Sequence, residues 1–219
     1  DSFGHNGMLP QILRKSGMEH YVFMRPGEHE KHLPAECFKW RSADGSTILA
    51  YRIPNGYNND LSEKRIEERL TEVGQKGRDA DTPMMFFYGV GNHGGGPTKA
   101  VVEFLGNKID SGEDDIAMST ASEFFMELEE SSDRLPVVTD DLQHHASGCY
   151  STMSGIKELN RKSEYRCIAA EKFNLAANKL LGFVYMGNEL QKAWEDILFN
   201  QFHDIMGGCS IREAYDDAF

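Results

Sequence analysis

The sequence predicts an α/β fold that gives way to a helical bundle, and three observations carry the reading. Short β-rich runs alternate with helical stretches as far as Pro136. Two of those runs flank an Asp-Gly turn. From Thr152 to the end, long amphipathic stretches follow one another with no β-rich run between them. Strand, helix and strand in quick succession favour a layered sheet with mostly parallel strands, whereas consecutive amphipathic helices favour helix on helix. The expected division is an α/β part over residues 1–138 and a three-helix bundle over 139–219, its third helix cut short.

The elements follow in order. Leu9 to Lys15 reads as a short helix with proline in its first turn, and Tyr21-Val-Phe-Met24 as a buried strand. Phe38-Lys-Trp-Arg41 and Thr47 to Ile53 meet around Asp44-Gly45, a strong hairpin signal. Leu61, Ile66, Leu70 and Val73 recur at helical spacing in a charged stretch, so Leu61 to Val73 reads as an exposed amphipathic helix. The polar residues Gln75 to Thr82 read as a loop. Pro83 to Gly91 is a continuous apolar run ending in glycine, the pattern of a buried parallel strand. Thr98 is placed to cap a helix through Leu105. Asp115 to Ser119 and Glu123 to Glu130 read as a further strand and helix. In the last part, Ile156, Leu159, Tyr165, Ile168, Ala169, Phe173 and Ala176 share one face of a helix over Thr152–Leu181. A second helix is expected over Glu189–Asp204, and a third begins near Ser210.

At 219 residues the chain can bury a sizeable core. Its 40% hydrophobic and 26% charged residues are those of an ordinary globular protein. A net charge of −12 argues against nucleic-acid and anionic-membrane partners, which need a basic face. No segment approaches the run of about 18 apolar residues that a membrane helix requires. Cys37, Cys149, Cys167 and Cys209 lie far apart without a C-x-x-C pair, which fits free thiols in a reducing, cytoplasmic setting better than a disulfide framework. The oligomeric state is left open.

Two motifs carry chemistry. Phe199 to Arg212 sets a His203-Asp204 pair at the end of an amphipathic segment and follows it with Gly207-Gly208, so that a helix stopping on glycine would leave the pair facing a cleft. The opening Asp1-Ser-Phe-Gly-His-Asn6 adds a carboxylate beside an aromatic, a turn glycine and an imidazole. Aspartate and histidine are ligands zinc takes when one coordination position stays open for chemistry. Taken alone, His203 is more often a helix-end histidine satisfying a carbonyl, and Asp1 is mere linker. A third segment, Gly89-Val-Gly-Asn-His-Gly-Gly-Gly-Pro-Thr98, follows a strand and opens a helix, where a phosphate could sit. It lacks the Gly-Lys-Ser/Thr of a P-loop and the dinucleotide spacing, and reads better as a loop whose backbone passes close to a ligand. His144-His145 resembles a metal pair, but adjacent side chains diverge on any regular element; they read as interdomain polar residues.

In this order the motifs resemble glycoside hydrolase family 38, the zinc-dependent α-mannosidases. The resemblance rests on Asp1-Ser-Phe-Gly-His-Asn6, Leu9 to Lys15, Trp40 to Tyr51, the triple-glycine loop, Gly148-Cys-Tyr-Ser151 and His203-Asp204. It implies the later part of an α/β barrel followed by a helical middle domain, within a longer polypeptide. It also implies retaining hydrolysis of terminal α-linked mannose from an α-mannoside oligosaccharide, with Asp1 as nucleophile and Asp1 and His203 as ligands of a Zn2+ ion. Those two side chains would then meet at the metal. Substrate-binding positions are implied at Phe3, Arg25, Tyr57, Asn92 and Asp204. The family's His-x-Asp pair is absent from these residues, so the chain alone is expected to be inactive. Where family members carry an aspartate, this glycine loop has Asn92-His93; the general acid is His93, whose imidazole titrates near neutrality, or a group outside the chain. A zinc-dependent polysaccharide deacetylase and a non-catalytic carbohydrate-binding protein are the alternatives, separable by acetate release and by binding without cleavage.

Overall fold

The computed structural model describes residues 2–58, 62–91, 94–112 and 115–219. They form two compact units, residues 1–145 and 146–219. The division falls after His145, seven residues beyond the expected 138, because residues 139–145 serve the first unit. Leu142 is fully buried there and exchanges two backbone hydrogen bonds with His5 (3.2 and 2.9 Å).

The first unit is built on four strands, β1 (His20–Phe23), β2 (Cys37–Arg41), β3 (Thr47–Arg52) and β4 (Val137–Val138), in the order β1-β3-β2-β4. β1 runs parallel to β3 and β2 parallel to β4, while β2 and β3 form the antiparallel hairpin that the Asp-Gly turn predicts. The turn is held by Ser42 and Ser46 backbone groups and by the Asp44 carboxylate, which accepts from the Ser46 N–H at 3.0 Å. β3 is central and buried on both faces. Ile48 and Ala50 join Phe38, Trp40, Phe23 and Leu13 on one side, under helix α1 (Leu9–Lys15). Leu49, Tyr51 and Ile53 join Cys37 on the other. That second face is covered by Phe124, Phe125 and Leu128 of α4 (Ala121–Glu130). This is the layered α/β arrangement that the alternating sequence implies.

Three expectations need correction here. Helix α2 (Glu63–Ala80) runs seven residues past Val73, through the stretch read as a loop. Its last turns are sustained by side-chain bonds, Gln75 Nε2 to Asp79 Oδ1 at 2.7 Å and Arg78 Nη2 to Gln75 Oε1 at 3.0 Å, which an apolar pattern does not register. Residues 83–88 are extended but belong to no strand. The Tyr51 hydroxyl takes the place of a neighbouring strand at Met85, donating to its carbonyl at 2.8 Å and accepting from its N–H at 3.1 Å. Met84, Met85 and Phe87 pack on the Tyr51 side and Phe86 and Tyr88 against Ile66, Val101 and Leu105, so the sides alternate from Met85 to Tyr88. Asp115 to Ser119 also forms no strand. Helix α3 (Lys99–Ser111) is capped by Thr98, as expected, at 3.3 Å from the Val101 N–H.

In the second unit, α5 (Ser154–Leu181) and α6 (Gly187–Phe199) pack as a hairpin. The expected helix to Asp204 is broken. It ends at Asn200, Phe202 turns to extended backbone, and His203–Met206 makes a separate short turn, α7, before α8 (Arg212–Ala218). The small core here is Ile156, Ile205 and Tyr215. Of the apolar face expected on α5, Ile156 is buried, but Tyr165 and Phe173 stand exposed. No described helix is long and apolar enough to cross a membrane, and all four cysteines are unpaired.

Candidate functional site

At the C-terminal ends of the parallel strands β1 and β3, several of the residues singled out in the sequence come together. Arg25 leaves β1 and sets its guanidinium 6.0 Å from the Phe3 ring centroid. Phe3 also meets His145 edge-on at 5.5 Å. Loop 54–58 leaves β3 beside them, where a Cβ on Gly56 would lie 3.2 Å from the Met24 sulfur. Tyr57 and Asn58 then press on the glycine-rich loop. The Asn58 Oδ1 accepts from the Gly91 N–H at 2.8 Å, and a Cβ on Gly91 would meet Asn58 at 3.0 Å and Tyr57 at 3.2 Å. Phe3, Arg25, Tyr57 and the glycine loop thus share one end of the sheet.

The loop's own geometry explains its composition. It is closed by the Val90 N–H donating to the Gly96 carbonyl at 3.0 Å. A Cβ on Gly95 would fall 2.7 Å from the Val90 carbonyl oxygen, and Gly89 has φ +122. Only glycine supports both the close approach and that backbone conformation. Asp1, Asn92 and His93 lie outside the described residues.

The opening motif is anchored by His5, 5% exposed among the rings of Tyr21, Phe23 and Trp40. Its Nε2 is 2.8 Å from the Arg25 carbonyl oxygen and its Nδ1 is 2.9 Å from the Tyr21 hydroxyl. A carbonyl only accepts, so Nε2 carries the proton and Nδ1 accepts from Tyr21. Burial holds the imidazole below its ordinary pKa, against the opposing pull of the Arg25 carbonyl, and so keeps the ring neutral. The Asn6 side chain accepts from the Met8 N–H at 2.8 Å, and buried Ser42 donates to the Gly7 carbonyl at 2.9 Å while accepting from the Gln11 N–H at 3.0 Å. Sequence reasoning gave neither Tyr21 nor Ser42 a place at the site. Tyr21 carries only the strand pattern as a signal, and nothing local marks Ser42.

His203 presents a different picture within its own unit. Its side chain is 81% exposed, with Nε2 3.7 Å from the Asp204 Oδ1 and the Phe202 ring edge-on at 4.4 Å. It therefore does not point into the small helical core. Asp204 accepts from the Cys209 thiol at 3.4 Å, and that bond raises the thiol pKa. The Tyr215 hydroxyl lies 3.1 Å from the carbonyl oxygens of both Asp204 and Ile205, pinning α7. Gly208 follows with φ +79, where a Cβ would come within 2.7 Å of Thr152. His144 and His145, expected to bridge the units, are instead held by the first one: His145 meets Glu30, and His144 lies near Lys31 and Asp141.

No group of three or more histidine, cysteine, aspartate or glutamate side chains able to hold a metal is gathered among the described residues. His203, exposed and with the Asp204 carboxylate at 3.7 Å, suits zinc as one imidazole donor, but one donor is not a site. A separate cleft of about 560 Å³ in the first unit is lined by Glu28, Glu36, Arg52, Lys76, Met84 and Arg134, among others. Its charges are engaged with one another. Buried Arg52 binds Glu36 at 2.8 Å, and Lys76 pairs with Glu28. Among the described residues, none of those expected to act on substrate lines it.

Comparison with known proteins agrees with this layout. Residues 144–219 match the alpha mannosidase middle domain. Alpha-mannosidase G of Dictyostelium discoideum is 30% identical over 99% of this chain and 20% of its own length. Alpha-mannosidase 2C1 of Mus musculus is 29% identical over all of this chain and 21% of its own length. The chain thus spans about a fifth of the length of the curated relatives it matches. The crystal structure of an alpha-mannosidase from Enterococcus faecalis V583 superposes with TM-score 0.71 at 20% identity, covering all of this chain and 26% of that one, which supports the fold. Residues 1–148 match the N-terminal domain of glycosyl hydrolases family 38, and the chain belongs to that family.

Proposed function

We propose that this chain is part of a retaining α-mannosidase that removes terminal α-linked mannose. The observation that carries the reading is the convergence of Phe3, Arg25, Tyr57 and the glycine loop at the C-terminal end of β1 and β3, the end at which open and closed parallel α/β sheets bind ligands. In this reading the sheet is one arc of a larger α/β barrel, and the helical unit is the start of a three-helix bundle. The Asp1 carboxylate attacks the anomeric carbon as the glycosidic C–O bond breaks. The leaving oxygen takes a proton from His93 or from a residue elsewhere in the full-length protein. Water then gives a proton back to that same group, attacks the same carbon, releases the Asp1 carboxylate and restores the original configuration, a scheme that needs carboxyls about 5 Å apart. Phe3 offers an apolar face to the sugar ring, while Arg25, Tyr57, Asn92 and Asp204 supply polar contacts to its hydroxyls. Asp1 and His203 would be among the residues that hold a Zn2+ cofactor, which would supply Lewis-acid chemistry and orient the sugar. The isolated 219-residue chain is inactive in this reading, since it supplies only two of the ligands.

The test is Asp1→Asn in a family-length protein containing this sequence, assayed on an aryl α-mannoside. Turnover is expected to fall by about three orders of magnitude or more, as when a covalent nucleophile is removed. An Asp1→Asn protein with wild-type turnover would overturn the assignment.

A further inference from the structure

We infer that His5 and Tyr21 are positioning residues for the nucleophile of the proposed reaction, holding the backbone from which residue 1 extends. The inference rests on the α-mannosidase reading and deepens it. Phe3 and His5 are each tied to β1 or to the residues that leave it. Tyr21 donates to His5 Nδ1 at 2.9 Å, and the Ser2 side chain opposes the rise in the Tyr21 pKa that burial causes. His5 Nε2 donates to the Arg25 carbonyl at 2.8 Å. The Arg25 side chain in turn lies over Phe3 at 6.0 Å. Tyr21 within β1 and Arg25 just beyond it therefore hold His5 and Phe3, two of the first five positions.

The direction of each bond is determined. The Arg25 carbonyl can only accept, so the neutral ring must accept from Tyr21, and the Tyr21 oxygen is left free to accept from Ser2. Turning the ring would break both bonds in a site closed by three aromatic rings and by the two backbone bonds to Leu142. A residue that served only to fill space would not need this polarity. Burying an imidazole among aromatics costs free energy unless both nitrogens are satisfied, and an apolar side chain would pack there without that demand. What the imidazole adds is a fixed link from Tyr21 and the Arg25 carbonyl to residue 5, four positions from the nucleophile. Misplacing a reacting group by about 1 Å can lower a rate by about a hundredfold.

The experiment uses a family-length protein and a fluorinated mannosyl fluoride that leaves a long-lived glycosyl-enzyme, with the labelled peptide identified by mass spectrometry. Wild-type protein is expected to label on Asp1. Tyr21→Phe keeps the ring and deletes the donor to His5. It is expected to label on the same residue about 10- to 100-fold more slowly, with the reagent's dissociation constant unchanged and the protein folded. His5→Gln retains a donor for the Arg25 carbonyl but carries its acceptor on the terminal amide, away from the Nδ1 position that Tyr21 reaches, and is expected to show the same loss. Labelling of wild-type protein on another residue would remove the α-mannosidase assignment of Asp1 and this inference with it. Labelling on Asp1 at wild-type rate in either folded variant would overturn the positioning role and leave the mannosidase reading standing.

Discussion

Trp40 is 0% exposed and Phe199 is 82% exposed, yet both are large aromatics in regular secondary structure, one in the sheet-bearing unit and one in the helical unit. The first unit completes its own burial. Each face of β3 finds a helix, and Trp40 satisfies even its indole N–H on the Asp140 carbonyl at 2.9 Å. The second unit builds its long helices from local hydrogen bonds and leaves Leu180, Leu181, Phe183, Val184 and Phe199 facing outward. Helix formation needs only the adjacent turns, whereas a strand is defined by its partners. The two units therefore answer differently to side-chain removal.

The largest effect is expected at Trp40. Trp40→Ala removes a fully buried ring and leaves the Asp140 carbonyl without its donor, and should destabilise the first unit by about 3–5 kcal/mol. Amide hydrogen exchange in β3 reads this directly; protection within about 1 kcal/mol of wild type would show that the sheet does not depend on this core.

Gly208→Ala is next, and it tests whether the helical unit has any comparably tight point. At φ +79, with a Cβ placed 2.7 Å from Thr152, it should cost about 1–3 kcal/mol. The fluorescence of Trp194, which donates to Glu171 at 2.7 Å between α6 and α5, follows the unfolding of that unit. An unchanged midpoint would mean that the segment after α7 relaxes freely.

How legible all this is in the sequence follows the same division. Helices α1, α3, α4 and α5 and the β2–β3 hairpin are legible because their signals are local: a proline in the first turn, a threonine cap, apolar periodicity, an Asp-Gly turn. The strand expected over Pro83–Gly91 is not formed, because its pairing depends on what lies beside it, and Tyr51 occupies Met85 instead. The break between α6 and α7 has no proline or glycine to mark it, only the backbone of Phe202. At the candidate site, Phe3, Arg25, Tyr57 and the glycine loop are brought to one end of the sheet by the parallel pairing of β1 and β3, which spacing alone does not fix. Tyr21 escapes notice because its role depends on a neighbour 16 positions away.

The His5 cluster gives a pH signature that belongs to the first unit. Burial lowers the folded-state pKa below the ordinary value of 6.5, so the unfolded chain binds the proton more readily. The stabilising contribution is complete above pH 6.5 and is lost as pH falls through the lowered folded value. Hydrogen exchange in β1 measured from pH 7.5 to 5 should show this decline in wild type and a flatter profile in His5→Gln. Equal slopes in the two proteins would assign the acid sensitivity elsewhere, most directly to the depressed carboxylates Glu30 and Asp140, whose contributions disappear at lower pH.

The smallest effect is expected at Leu180, in the last turn of α5. Its side chain is 80% exposed, so Leu180→Gln removes almost no buried surface within this chain. Leucine and glutamine have nearly equal helix propensity, and the turn's own cap, the Gly182 N–H to the Asn178 carbonyl at 3.2 Å, is untouched. Stability should therefore change by less than about 0.5 kcal/mol, read from Trp194 fluorescence in a Trp40→Phe background. A fall of about 2 kcal/mol, the scale for truncating a buried leucine, would mean that Leu180 is covered in solution. The contrast with Trp40 would then disappear, since the helical unit would be burying its apolar face as fully as the sheet does.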